Sequence, residues 1–65
     1  MKQFKIPDIN AYVIYDNGQF FYDDGKITVA MQPISLAEGD VVTVNYPGKG
    51  YWKVHPENGV THHNP

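Results

Sequence analysis

The chain has no cysteine and no arginine, and its 65 residues include one serine and one leucine. Without cysteine there is no disulfide framework, no thiolate metal centre and no thiol nucleophile. Small secreted domains usually depend on such staples, so the expected setting is reducing and cytoplasmic. Without arginine the chain lacks the side chain that grips guanine or phosphate through two parallel hydrogen bonds. Five Lys against seven Asp and Glu leave a net charge of −2, whereas a duplex-DNA binder carries a basic face. Long apolar runs are missing as well. The longest, residues 11–14 extended by Tyr15, falls far short of the ~20 residues of a membrane span. Nothing after Lys2 resembles the apolar part of a signal peptide. Neither a membrane partner nor a leader is expected.

The residues that are abundant point to one fold class. Val and Ile total twelve and Tyr five, against three Ala and the lone Leu. Branched and aromatic side chains suit a pleated sheet, whereas Leu and Ala favour helix, so the chain reads as all-β. Its length allows one domain, burying about 60% of the surface that the unfolded chain exposes. Candidate strands are residues 2–6, 11–15, 19–23, 26–32, 41–46 and 51–55. Asn17-Gly18 and Asp24-Gly25 read as two-residue type I′ hairpin loops. Pro47-Gly48 reads as a type II turn and Pro56-Glu57-Asn58-Gly59 as another turn. At residues 35–39, Ser35 and Glu38 have capping-box spacing and Gly39 could end a helix. One helical turn or a plain loop fits there.

The two type I′ loops together set a register. Around the first, Tyr15 faces Phe20, Ile14 faces Phe21 and Val13 faces Tyr22. Around the second, Asp23 faces Lys26, Tyr22 faces Ile27, Phe21 faces Thr28 and Phe20 faces Val29. The period of two in a strand then sorts the side chains. Val13, Tyr15, Phe20, Tyr22, Ile27, Val29 and Met31 form an apolar face, the expected core. Tyr12, Ile14, Phe21, Asp23, Lys26, Thr28 and Ala30 form the other, with Asp23 and Lys26 paired across the ladder. In the last hairpin Val42, Val44 and Tyr46 share a face, as do Trp52 and Val54, and these are expected to close over the meander.

Residues 36–44, Leu36-Ala37-Glu38-Gly39-Asp40-Val41-Val42-Thr43-Val44, have the form L-x-x-G-D-x-V-x-V. This resembles the way a strand begins in many SH3-like and OB-like small barrels. The resemblance implies an architecture and carries no function, since such barrels host unrelated activities. The expected fold is a single small antiparallel barrel, SH3-like or OB-like, of five to six short strands over residues 1–59, followed by a flexible tail at 60–65.

Few residues suggest chemistry. His55, His62 and His63 are the groups that change charge near neutral pH. Adjacent His62 and His63 point opposite ways on an extended chain and lie in the expected tail, so a solvated tail is the expectation, with weak Ni²⁺ or Zn²⁺ binding alongside His55 or Glu57 as the alternative. Asp16 and the Asp23-Asp24 pair sit at opposite ends of one strand, about 15–17 Å apart at ~3.3 Å per residue. That separation is too long for a shared acid–base site. Ser35 has no histidine in its own loop, and Gly48-Lys49-Gly50 is too short to cradle a phosphate. A domain this small also leaves little room for a pocket of about 300 Å³. The reading is therefore not an enzyme, with no cofactor and no metal.

The aromatic residues remain. Nine in 65 residues exceed the evident need of so small a core, and by the register above Tyr12, Phe21 and Tyr51 point outward. An outward apolar patch with a polar border marks a binding surface, unless the barrel curls or the N-terminal strand folds over and covers it. The expected function is therefore a protein-binding module, an accessory protein or inhibitor of the kind a phage or mobile element carries. Its contact residues would be Tyr12, Ile14, Phe21 and Thr28, with Tyr51 and Lys53 beside them. Strand pairing along 2–6 or 51–55 is a second route. The alternatives are stacking of single-stranded nucleic acid on the outward rings, with Lys26, Lys49 and Lys53 near the backbone, and self-association into a homodimer.

Overall fold

The computed structural model describes residues 1–64. It is built from eight strands: β1 (Lys2–Ile6), β2 (Ala11–Asp16), β3 (Gln19–Asp23), β4 (Thr28–Met31), β5 (Ile34–Leu36), β6 (Gly39–Tyr46), β7 (Gly50–His55) and β8 (Gly59–His63). They form two four-stranded antiparallel sheets, in the orders β1-β2-β3-β4 and β5-β6-β7-β8. There is no helix among the described residues, and so none long and apolar enough to cross a membrane. Every ladder joins strands adjacent in sequence, and the two residues Gln32-Pro33 carry the chain from one meander to the other.

The first hairpin is as the sequence reads. Asn17 and Gly18 both have positive φ, 53° and 81°, the type I′ geometry that matches the twist of the flanking strands. Tyr15 pairs with Phe20, Ile14 with Phe21 and Val13 with Tyr22. The type II turn at Pro47-Gly48 also forms: Lys49 N–H donates to the Tyr46 carbonyl at 3.0 Å, and Gly48 supplies φ 84°.

The second hairpin differs from expectation. Its loop spans residues 24–27, and Asp23 pairs with Thr28, Phe21 with Ala30 and Phe20 with Met31. The cause is side-chain capping of the turn. Asp24 Oδ1 accepts the N–H groups of Lys26 and Ile27 at 2.9 and 3.0 Å, and Asp23 Oδ1 accepts that of Gly25 at 2.8 Å. The Asp23–Lys26 cross-strand pair is therefore not formed, and Ile27 leaves the strand, 60% exposed. The slip is two residues, so each side chain keeps its face. Val29 keeps the inner face but lies on edge strand β4 and is exposed, so it does not join the core.

Two further corrections enlarge the strand count. Residues 35–39 form no helical turn; Ser35 pairs with Asp40 and Leu36 with Gly39 across a tight β5–β6 turn. The Ser35 hydroxyl, placed by its sequence spacing as a helix cap, instead donates across the ladder to Asp40 Oδ1 at 2.9 Å. The stretch from residue 60, read as a tail beyond the domain, supplies most of β8, whose residues pair with β7 from Tyr51↔His63 to His55↔Gly59. β7 is therefore an interior strand, and 51–55 offers no free edge, while β1 does lie at a sheet edge.

The inner faces of both sheets meet in one core. Ile6, Ala11, Val13 and Phe20 come from the first sheet and Val42, Val44, Trp52 and Val54 from the second, with Phe4, Tyr15, Tyr22, Met31 and Val60 packed around them. Tyr46, expected on this face, is exposed because it sits at the outer end of β6 beside the turn. The loop residue Ile9 also reaches the core. A hydrogen bond from Ala11 N–H to the Ile9 carbonyl, 2.9 Å, tightens the chain around it.

Candidate functional site

The outer face of the second sheet carries a groove. In the pairing register Ile34 lies opposite Val41, Thr43 opposite Lys53 and Asn45 opposite Tyr51. These side chains therefore share one face, turned away from the core. Together with Leu36 they line a depression of about 310 Å³. Val41 forms its floor and is only 1% exposed, yet it belongs to no part of the central core. Ile34 and Leu36, half and 39% exposed, form one wall. Tyr51 forms the other, held flat by stacking on His63 at 4.7 Å between centroids and 7° between planes. Lys53 closes one side and reaches Glu38 at 4.0 Å.

The first sheet has its own outward row. Tyr12 is 41% exposed and Thr28 exposed, while Ile14 and Phe21 are half-buried. The Lys5 ammonium stands 5.2 Å from the centre of the Tyr12 ring and also donates to Asn10 Oδ1 at 3.2 Å, a cation–π contact that keeps one side of the ring occupied. The six residues read as one contact surface are thus divided. Tyr12, Ile14, Phe21 and Thr28 lie on the first sheet, and Tyr51 and Lys53 lie on the second. Strand pairing does not bring the two groups together. The groove walls Ile34 and Leu36 escape sequence reading because residues 35–39 carry helix-cap signals that hide the strand. The signal available was Ile34 and Leu36 two apart, the alternation of a half-exposed strand.

A second cleft, about 330 Å³, lies between the β5–β6 and β7–β8 turns and is lined by Tyr15, Gly18, Phe20, Glu38, Gly39, Asp40, His55, Pro56 and Glu57. Both depressions are open to solvent, the first on a sheet face and the second at the ends of the sheets. His55 organises this cleft. Its Nε2 meets the Glu38 carbonyl oxygen at 2.8 Å, and its Nδ1 accepts the backbone N–H groups of Glu57 and Asn58 at 3.1 and 3.2 Å. The Lys2 ammonium donates to the Pro56 carbonyl at 2.9 Å, tying β1 to the same turn.

His62 and His63 are not in a loose tail. They flank opposite faces of β8, His62 on Trp52 and His63 on Tyr51. No group of three or more His, Asp or Glu side chains placed to hold a metal ion occurs among the described residues.

Comparison with protein-family models, with curated proteins and with solved structures finds no match for this chain.

Proposed function

We propose that this chain is a non-enzymatic protein-binding module that seats an apolar side chain of its partner in the groove over Val41. The observation that carries the reading is the lining of that groove. Ile34, Leu36 and Tyr51 offer apolar surface around a closed floor at Val41, with Thr43, Asn45 and Lys53 placed to fix orientation. Exposed aliphatic side chains around a preformed depression match the centre of a recognition site, where a few anchors supply most of the affinity. Burying one Leu-sized side chain there is worth about 1.5–3 kcal/mol. The outward row of Tyr12, Ile14, Phe21 and Thr28 is a second face of the same module.

The proposal includes a small barrel of the SH3-like or OB-like kind. Its support is that β1 lies against β8 while Gln32-Pro33 carries β4 directly into β5, so the sheets approach at both margins.

The test compares capture of host proteins by the wild type, by Leu36→Asp and by Tyr12→Ala/Phe21→Ala, each checked for folding by circular dichroism. The reading expects a band lost with Leu36→Asp and kept with the sheet-one variant. Identical bands from all three overturn the groove assignment. Salt-sensitive quenching of Trp52 and tyrosine emission by oligo-dT would replace the reading with single-stranded nucleic-acid binding. Concentration-dependent sedimentation, abolished by Leu36→Asp, would replace it with self-association.

A further inference from the structure

We infer that His55 is a proton-operated latch on the β7–β8 turn. The inference rests on donor and acceptor valence. A backbone N–H can only donate and a backbone carbonyl can only accept. Nδ1 faces two N–H groups, those of Glu57 and Asn58, and so must present its lone pair. Nε2 faces the Glu38 carbonyl and so must carry the hydrogen. The partners admit a single form of the ring, neutral and protonated at Nε2. In that form His55 bridges the β5–β6 turn to the β7–β8 turn, and Gly39 leaves room for it: a Cβ there would come within 3.3 Å of Nε2.

A proton arriving from solvent at Nδ1 occupies the lone pair that both N–H groups share. The bond to Glu38 survives, because Nε2–H still donates. The two bonds to Glu57 and Asn58 do not. Protonation therefore releases one turn and leaves the other attached, which is what separates a latch from general acid unfolding. The carboxylates of Glu38, Asp40 and Glu57 line the same cleft, Glu38 shared with Lys53 and Asp40 accepting the Ser35 hydroxyl. Tyr15, from β2, is the other titratable group lining the cleft. Lys2 keeps its own hold on the Pro56 carbonyl and limits how far the turn can move. The released segment carries Pro56 and Glu57, one side of the 330 Å³ cleft, so the shape of that cleft changes with the charge on one imidazole.

The test is residue-resolved NMR on the whole chain, from neutral pH to about pH 5, the range in which an imidazole takes up its proton. At neutral pH the Nδ1 resonance of His55 should be that of an unprotonated nitrogen. As the ring takes its proton, the Glu57 and Asn58 amides should exchange about tenfold faster than the intrinsic pH dependence requires, while amides of β2 and β6 keep their protection. Three results overturn the inference: an Nδ1–H ring at neutral pH, unchanged Glu57 and Asn58 protection while the ring titrates, or loss of protection throughout the chain at once.

Discussion

The imidazole of His62 lies flat on the indole of Trp52, their centroids 4.6 Å apart and their planes 10° from parallel. The two residues are direct partners across the β7–β8 ladder, so the contact follows from register. Trp52 is fully buried, and its Nε1–H finds no acceptor among the described residues. His62 in turn is held by a 2.7 Å hydrogen bond to the Lys49 carbonyl, beyond the end of β6. Replacing His62 with Ala should remove both the stack and that bond, cost about 1–2 kcal/mol and expose one side of the indole. Denaturant titration and the Trp52 emission maximum report the two effects; an emission maximum that stays put would show the ring is not the cover.

Asp24 gives a pH-dependent expectation with a definite sign. The N–H groups of Ile27 and then Lys26 hold its carboxyl below the ordinary value of 3.8. A carboxyl depressed in the folded state contributes stability that is present above its unfolded pKa and lost as pH falls through the folded one. The window is therefore on the acid side of 3.8. Carboxyl-carbon NMR should place the Asp24 midpoint there, with the Lys26 and Ile27 amides moving at the same pH. Asp24→Ala should loosen the 24–27 loop at neutral pH.

Gly18→Ala tests the first hairpin. A Cβ at this position meets nothing within 4 Å, so the cost is conformational alone, set by φ 81°. It should amount to about 1–2 kcal/mol with the β2–β3 register unchanged. A neutral substitution in chemical denaturation would show that residue 18 is not held at positive φ.

Ile9 lies outside every strand yet packs in the core. Ile9→Ala should cost about 2–5 kcal/mol, as a core truncation does, rather than the few tenths of a surface loop. Thermal melts of Ile9→Ala beside Asn10→Ala make the comparison.

These contrasts show where the sequence is informative. Where the turn residues themselves demand a backbone conformation, as at Asn17-Gly18 and Pro47-Gly48, the local structure follows directly. Inner and outer faces of β2 and β3 follow from it by alternation. At Asp23-Asp24 the side chains compete with the tight loop by capping N–H groups further on, and composition does not say which arrangement wins. Because the shift is of two residues, each side chain stays on its face. β8 was hidden for another reason: Thr61, His62 and His63 look like a polar tail, and only Trp52 and Tyr51 opposite make them a strand. Of the candidate surface, Tyr51 and Lys53 were legible as outward side chains, whereas the groove they wall required β5, whose three residues carry too short a pattern to outweigh a capping signal. Val41 illustrates the same limit. Its neighbour Val42 on the opposite face is buried in the core, and nothing in the pair reveals that both sides of β6 are covered.

The Gln32-Pro33 link has a consequence for assembly. All strand pairing among the described residues falls within residues 2–31 or within 34–63, so neither half needs the other to set its register. What joins the halves is side-chain packing in the shared core together with the Lys2–Pro56 hydrogen bond. A peptide bond cut at that junction would sever no ladder, which makes the two halves natural candidates for reconstitution from separate pieces.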